Sequence, residues 1–232
     1  MTEQKDQGIV LLSNVRLSFP HLIEPQERNK NGKVSSSYGC DLLMEPSSQG
    51  YADFMGYAGK LAIDTWKENA QVVMSIIQAN PNTRCFGDGN AKINKKKMQV
   101  YEGYSGMVYI TATRQASYGA PQLVDDNGNP IDPNNTLAYQ LLARKMYGGC
   151  RVNVALKPWI QKASPKNENT NGIRCDLIAI QFAGDDDAFG ESSPDITGVF
   201  KPVASASQSF TPPTAAMPAT PFGSFMPPQG AQ

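Results

Sequence analysis

The chain has 232 residues, 40% of them hydrophobic and 18% charged, with 21 basic against 21 acidic side chains and so no formal net charge. This is the composition of a soluble globular protein able to bury a sizeable core in one large or two small domains, and a zero net charge would ordinarily argue against a polyanion as partner. The average conceals a division: residues 1–183 carry 20 Lys and Arg against 16 Asp and Glu, a net +4, whereas 184–232 carry 1 against 5, a net −4.

In chain order, the N-terminal MTEQKDQG lacks the basic-then-apolar profile of a signal peptide. Residues 8–19, GIVLLSNVRLSF, are dense in β-branched and aliphatic side chains and read as a first strand ending at Pro20. After a polar loop, SYGCDLLM (37–44) reads as a second strand closed by Pro46. From Gln49 to Ala79 the period becomes helical, with Phe54, Ala58, Leu61, Ala62, Trp66, Ala70, Val73 and Ile77 on one stripe, in one long helix or two short ones. Asn80-Pro81 closes it, and residues 84–97 form a loop ending in the basic run Asn94-Lys95-Lys96-Lys97.

YSGMVYITATRQ (104–115) reads as a central strand. Turn residues from Asp125 to Pro133 mark an excursion, followed by a short helix over Thr136 to Lys145. In RVNVALKPW, Val152, Val154 and Leu156 face one way and Arg151, Asn153 and Lys157 the other, the alternation of a strand with one buried face. The last strand, 173–184, sets Cys175, Leu177 and Ala179 against Asp176, Ile178 and Ile180.

Beyond Gly184 come Asp185, Asp186 and Asp187 and then, after Phe200, Pro, Ala, Ser and Thr with isolated Phe and Met. Such a stretch buries too little to offset its chain entropy. Residues 1–184 therefore read as the folded domain and 185–232 as a disordered C-terminal tail, acidic first and then rich in Pro, Ala and Phe. Five strands with inserted helices fit a mainly β fold, a five-stranded Greek-key barrel of the OB-fold type with elaborated loops. The pattern alone also admits a small α+β sandwich.

Enzymatic chemistry finds little support. The single histidine, His21, offers neither a histidine-rich metal site nor a spare base for a Ser-His-Asp arrangement, and no GxxxxGK[ST] loop occurs. Cys40, Cys85, Cys150 and Cys175 have no CxxC spacing and read as small buried hydrophobes. Asp125, Asn127 and Asn129 begin like a calcium loop, but Pro130 stands where glycine is needed and no glutamate closes it. A nuclease would have to rest on Asp88 and Asp176, since the contiguous acids 185–187 cannot hold two metals at the required separation. No apolar run is long enough for a membrane span. The expectation is an intracellular, soluble, non-enzymatic protein with no cofactor and no metal.

What the strands do carry is cations interleaved with aromatics, the two ingredients of sequence-tolerant single-stranded DNA binding. Arg16, Tyr38, Lys92, Lys95, Lys96, Lys97, Tyr104, Arg114, Arg151, Lys157 and Trp159 are the candidate contacts. Arg151, Lys157 and Trp159 share a face by alternation, as do Tyr104 and Arg114. Tyr109, in step with Met107 and Thr111, reads instead as a core tyrosine, and Trp66 as helix packing. The acids Asp185, Asp186, Asp187, Glu191 and Asp195 are expected to compete electrostatically with DNA for the basic face. The alternative is a virion structural or scaffolding protein whose Pro-rich tail is the working part.

Several strings then line up: VRLSFPHLIEP (15–25), SSYGCDLLM (36–44), YEGYSGMVYITATRQ (101–115) after GDGN (87–90), YGGCRVNV (147–154) and LIAIQF (177–182). Over residues 9–184 the chain resembles a family of bacteriophage single-stranded DNA-binding proteins of the Enterobacter-phage type. The resemblance implies an OB fold, sequence-independent binding of single strands, and a role in phage DNA replication or recombination in the cytoplasm of the infected bacterium. By analogy with familiar single-stranded DNA-binding proteins, it also implies contacts with replication proteins through the tail.

Overall fold

In the computed structural model, which describes residues 8–30, 33–164 and 170–190, the strands β1 (Val10–Lys30) and β2 (Lys33–Met44) are followed by helices α1 (Gln49–Trp66) and α2 (Ala70–Ala79). Short strands β3 (Phe86–Asp88), β4 (Ile93–Asn94) and β5 (Gln99–Val100) lead to β6 (Val108–Gln115). After β7 (Gln122–Val124) and α3 (Thr136–Lys145) come β8 (Arg151–Gln161) and β9 (Gly172–Gly184). The chain divides into a unit Met1–Ser192 and a unit Ser193–Gln232; the second lies outside the described residues.

Five strands close on themselves. β1 pairs antiparallel with β2 and with β8, β2 with β6, and β8 with β9, while β6 and β9 meet in parallel through Thr113 and Asp176. The cycle β1-β2-β6-β9-β8 is a closed barrel, as expected for the OB fold. β3 and β7 extend its sheet beside β6 and β9, and β4 with β5 forms a separate hairpin.

The interior follows from alternation. Leu12, Leu17, Leu42, Ile110, Leu156, Ile173 and Leu177 are fully buried, and α1 lays Phe54, Ala58 and Ala62 over the barrel against β1 and β8. Ser48 starts α1 by accepting the Tyr51 N–H, satisfying one of the free donors of a helix start. The helical period read across 49–79 is broken into two helices at Lys67, whose φ of 50° leaves the helical region.

Two boundaries and one alternation differ from the sequence reading, each for a local reason. β1 does not stop at Pro20 but continues to Lys30; Pro20 falls in a register shift between Ser18 and His21, where its missing N–H breaks no ladder bond. β6 begins at Val108 rather than 104, since Gly103 and Gly106, at φ of 78° and 75°, turn the chain before it. In β9 a bulge lies between the pairs Leu156–Leu177 and Ala155–Ala179. It inserts Ile178 and flips the alternation, so Ile180 is buried where Ala179 was expected.

Asp125 closes a turn by accepting the N–H groups of Asn127 and Asn129. All four cysteines are buried and free. Leu42→Ala, at a fully buried barrel position, is expected to lower stability by about 2–5 kcal/mol. That should read as a lower denaturant midpoint with an unchanged slope.

Candidate nucleic-acid interface

With Cys40 and Leu42 of β2 and Ile110 and Ala112 of β6 buried in the barrel, alternation turns Ser37, Gly39 and Asp41, and Tyr109, Thr111 and Thr113, outward. Register sets Asp41 beside Thr111 and Gly39 beside both Thr113 and His21. These short side chains floor a groove of about 790 Å³. A β-carbon at Gly39 would stand 2.7 Å from the Ala112 carbonyl oxygen, so the close approach of β2 to β6 needs glycine there.

The groove has two unlike ends. Around Asp41 gather Phe19, Tyr101 and Tyr109, with the Phe19 and Tyr101 rings 5.0 Å apart edge to face. Phe19 is lifted there by its place in the β1 bulge, at φ 47°. Towards the far end of β2 stand Arg28, opposite Ser35, and Arg174, two residues before the Asp176 that meets Thr113. Between them is Arg84, next to Cys85, whose carbonyl accepts the Thr111 N–H. The Arg84 Nε is buried and has no hydrogen-bond partner among the described residues. A buried donor left unmade costs about 1–3 kcal/mol, and the Arg84 side chain also lines the groove.

Beneath the aromatic end lies a buried polar hub. Asp41, 4% exposed, accepts from Lys92 Nζ at 2.7 Å, from the Tyr104 hydroxyl at 2.6 Å and from Thr111 Oγ1 at 2.5 Å. Lys92 Nζ also sits 4.3 Å above the Tyr109 ring. Burial, the Asp41 charge and its hydrogen bond push the Tyr104 phenol far above the ordinary tyrosine range, so it stays a donor.

The candidates named from sequence are dispersed by this geometry. Tyr38 and Lys92 line the groove. Tyr104 is corrected: it lies in a turn ahead of β6, is 0% exposed and offers no face to a base. Tyr109 takes the place assigned to it, half-buried on the groove wall rather than in the core. Arg114 lies apart, its guanidinium donating to the carbonyls of Tyr118 and Gly119 and so holding the turn after β6. Lys95, Lys96 and Lys97 are exposed on the turn between β4 and β5. Lys157 and Trp159 share the outer face of β8 as expected; Lys157 pairs across with Asp176, and Trp159, its indole N–H on Asp176 at 2.8 Å, pairs with Arg174.

Arg16 and Arg151 are held elsewhere. Residues 185–190, read from sequence as tail, form a strap along the barrel in which Asp186 bridges Arg151 at 2.6 Å and Arg16 at 3.4 Å. Phe189 lies under the Arg16 guanidinium at 4.4 Å, and Arg16 also donates to the Asp187 carbonyl. The Phe189 N–H donates to the Gly148 carbonyl, the Gly190 N–H to Glu102, and the Tyr147 hydroxyl to Asp185. A β-carbon at Gly103 would collide with the Phe189 ring and one at Gly149 with the Asp187 carbonyl, so both glycines are notches for the strap. Glu191 and Asp195 lie outside the described residues.

Phe19, Arg28, Arg84 and Arg174 line the groove without having been named from sequence; Tyr101 belongs to the interleaved aromatics read there, and Tyr109 was assigned to the core. For Tyr109 a signal existed: pairing Ile110 with Ala112 as the buried set turns Tyr109, Thr111 and Thr113 to the outside. The three arginines come from a ribbon, a loop and a strand that only the closed barrel brings together. Among the described residues no three His, Cys, Asp or Glu side chains gather as a metal site requires, and no helix is long and apolar enough to cross a membrane.

Solved structures share this architecture. The single-stranded DNA-binding protein from bacteriophage Enc34, in complex with ssDNA, matches with a TM-score of 0.57 at 22% identity over 80% of this chain and 91% of that one. The same phage protein in another structure gives 0.53 at 22% identity over 84% and 92%. The fold is thus that of a phage OB-fold protein. The protein p50 of Acyrthosiphon pisum secondary endosymbiont phage 1 is 27% identical over 182 residues, 78% of this chain and 85% of its own. Residues 9–207 match the family described as Enterobacter phage Enc34, ssDNA-binding protein, and the chain belongs to that family.

The Asp187 amide, Arg151 and the Arg16 charge together hold the Asp186 carboxyl below the usual carboxylate range. A depressed value means that its stabilisation of the strap is present above about pH 4 and is lost as pH falls through the lowered value. Asp186→Asn should bring on the same loosening at neutral pH. The amides of Phe189 and Gly190 should then exchange with solvent faster, while those of the barrel strands hold their rates.

Proposed function

We propose that this protein binds single-stranded DNA without sequence preference and without catalysing a reaction, in phage DNA replication or recombination in the host cytoplasm. The observation that carries the reading is the groove over β2 and β6, where a buried guanidinium nitrogen of Arg84 has no acceptor among the described residues and the rings of Phe19, Tyr101 and Tyr109 line the same groove. Membership in a family of phage single-stranded DNA-binding proteins supports it.

The division of the groove suggests a division of labour. Bases stack on Phe19, Tyr101 and Tyr109, at about 1–3 kcal/mol for each base and with no preference among bases. Phosphates meet the guanidinium groups of Arg84, Arg28 and Arg174, all three of which line the groove. Lys95, Lys96 and Lys97, on the exposed hairpin turn, and Lys157 and Trp159, beside Arg174, extend the path at either end. Asp186 occupies Arg16 and Arg151, which is the form that competition by the acidic segment takes in this reading. The residues from Glu191 onward supply the remaining acids and the contacts with replication proteins.

Binding of oligo-dT should fall with salt, and Arg84→Gln should lower the slope of log K against log salt by about 0.7, the loss of one phosphate contact on a single strand. Tyr109→Ala should cost about 1–3 kcal/mol at every salt concentration. Absent or salt-insensitive binding of the wild type at low salt would sink the proposal. Deleting residues 191–232 should leave oligo-dT binding intact or tighter, and a loss of binding on that deletion would instead make the tail the working part.

A further inference from the structure

A carboxylate at the floor of a groove meant for a polyanion is unexpected, and Asp41 is one. It is nearly fully buried, carries three hydrogen bonds, and stands where the aromatic side chains gather. Lys92, which sequence reasoning makes a phosphate contact, has its ammonium committed to Asp41 at 2.7 Å and to the face of Tyr109. The pair is net neutral, and a cation already paired by the protein's own carboxylate has no condensed counterion to release from DNA when it binds. The arginines at the other end differ in kind. Arg28 and Arg174 spend their guanidinium bonds on the uncharged side chains of Gln26 and Gln161, and Arg84 has an Nε with no partner among the described residues.

We propose that Asp41 is a specificity-determining residue: by neutralising Lys92 it makes the floor of the groove's aromatic end electrically silent, so that bases settle there and the phosphate contacts inside the groove fall to the arginine end. The inference rests on the single-stranded DNA reading and deepens it. Lys92 acts through Tyr109, holding the ring by its cation–π contact, and Asp41 holds Lys92 in place. A ligand with phosphates but no bases gains nothing at the neutral end, so the groove discriminates in favour of a strand carrying bases over a bare polyanion.

The test compares oligo-dT binding across salt for the wild type, Asp41→Asn, and the charge-balanced double variant Asp41→Asn with Lys92→Met, each first checked for folding by thermal melting. Asp41→Asn frees an ammonium. Its salt slope should steepen by about 0.7, equivalent to roughly a further two- to threefold change between 50 and 200 mM salt. It should also let inorganic polyphosphate displace oligo-dT at several-fold lower concentration than from the wild type. The double variant should bind oligo-dT more weakly by a factor that does not change with salt, leaving the wild-type slope in place. Should asparagine not be accommodated, Asp41→Ser with Lys92→Met provides a second uncharged pair for the slope.

A slope unmoved by Asp41→Asn, or one that falls by about 0.7 in the uncharged double variant as it does in Arg84→Gln, would make Lys92 an ordinary phosphate contact and overturn the proposal. Wild-type protein that shows no salt-dependent binding at all would instead remove the single-stranded DNA reading on which it rests.

Discussion

β1 serves its two neighbours in succession: it runs beside β8 through Val10–Arg16 and beside β2 from Arg16 onward, and so carries the sheet from one partner to the other around the barrel. Its pairing with β2 includes a register shift holding Phe19 and Pro20, with Phe19 forced to a positive φ. Strain of this kind persists only where the surroundings over-determine it. Here the same bulge also raises Phe19 into edge contact with Tyr101 at the groove. The register shift in β1 and the aromatic wall share one stretch of backbone.

The periodic parts of the molecule were legible without coordinates. The β8 alternation of Val152, Val154 and Leu156 against Arg151, Asn153 and Lys157 appears unchanged in the barrel, and α3 has the predicted ends. The barrel strands and both long helices were likewise readable, because burial on one face imposes a period that composition displays. What escaped notice was local irregularity. A proline inside a bulge looks from sequence like a strand end, and the inserted Ile178 inverts every assignment beyond it. The short strands β3, β4, β5 and β7 are only two or three residues long and carry no period at all.

The interface was legible as chemistry but not as geometry. Cations and aromatics were recognisably interleaved, yet Tyr104 and Tyr109 exchanged roles because Tyr104 belongs to a turn, where strand parity does not apply. Arg16 and Arg151 looked exposed by alternation and are so placed, but the residues that cover them come from beyond the expected end of the domain. No pattern within β1 or β8 announces the Asp186 bridge. Gly103 and Gly149 mark the strap's path, and in a sequence they read only as turn residues.

The placement of the two tryptophans has an optical consequence. Trp159 is 39% exposed, hydrogen-bonded to Asp176 and paired across the ladder with Arg174 at the arginine end of the groove. Trp66 is half-buried against the core at the end of α1, away from the groove lining. The two indoles therefore sit in different surroundings, one beside Arg174 at the end of the groove and the other outside its lining, so that a probe of tryptophan environment reads two separate parts of the molecule.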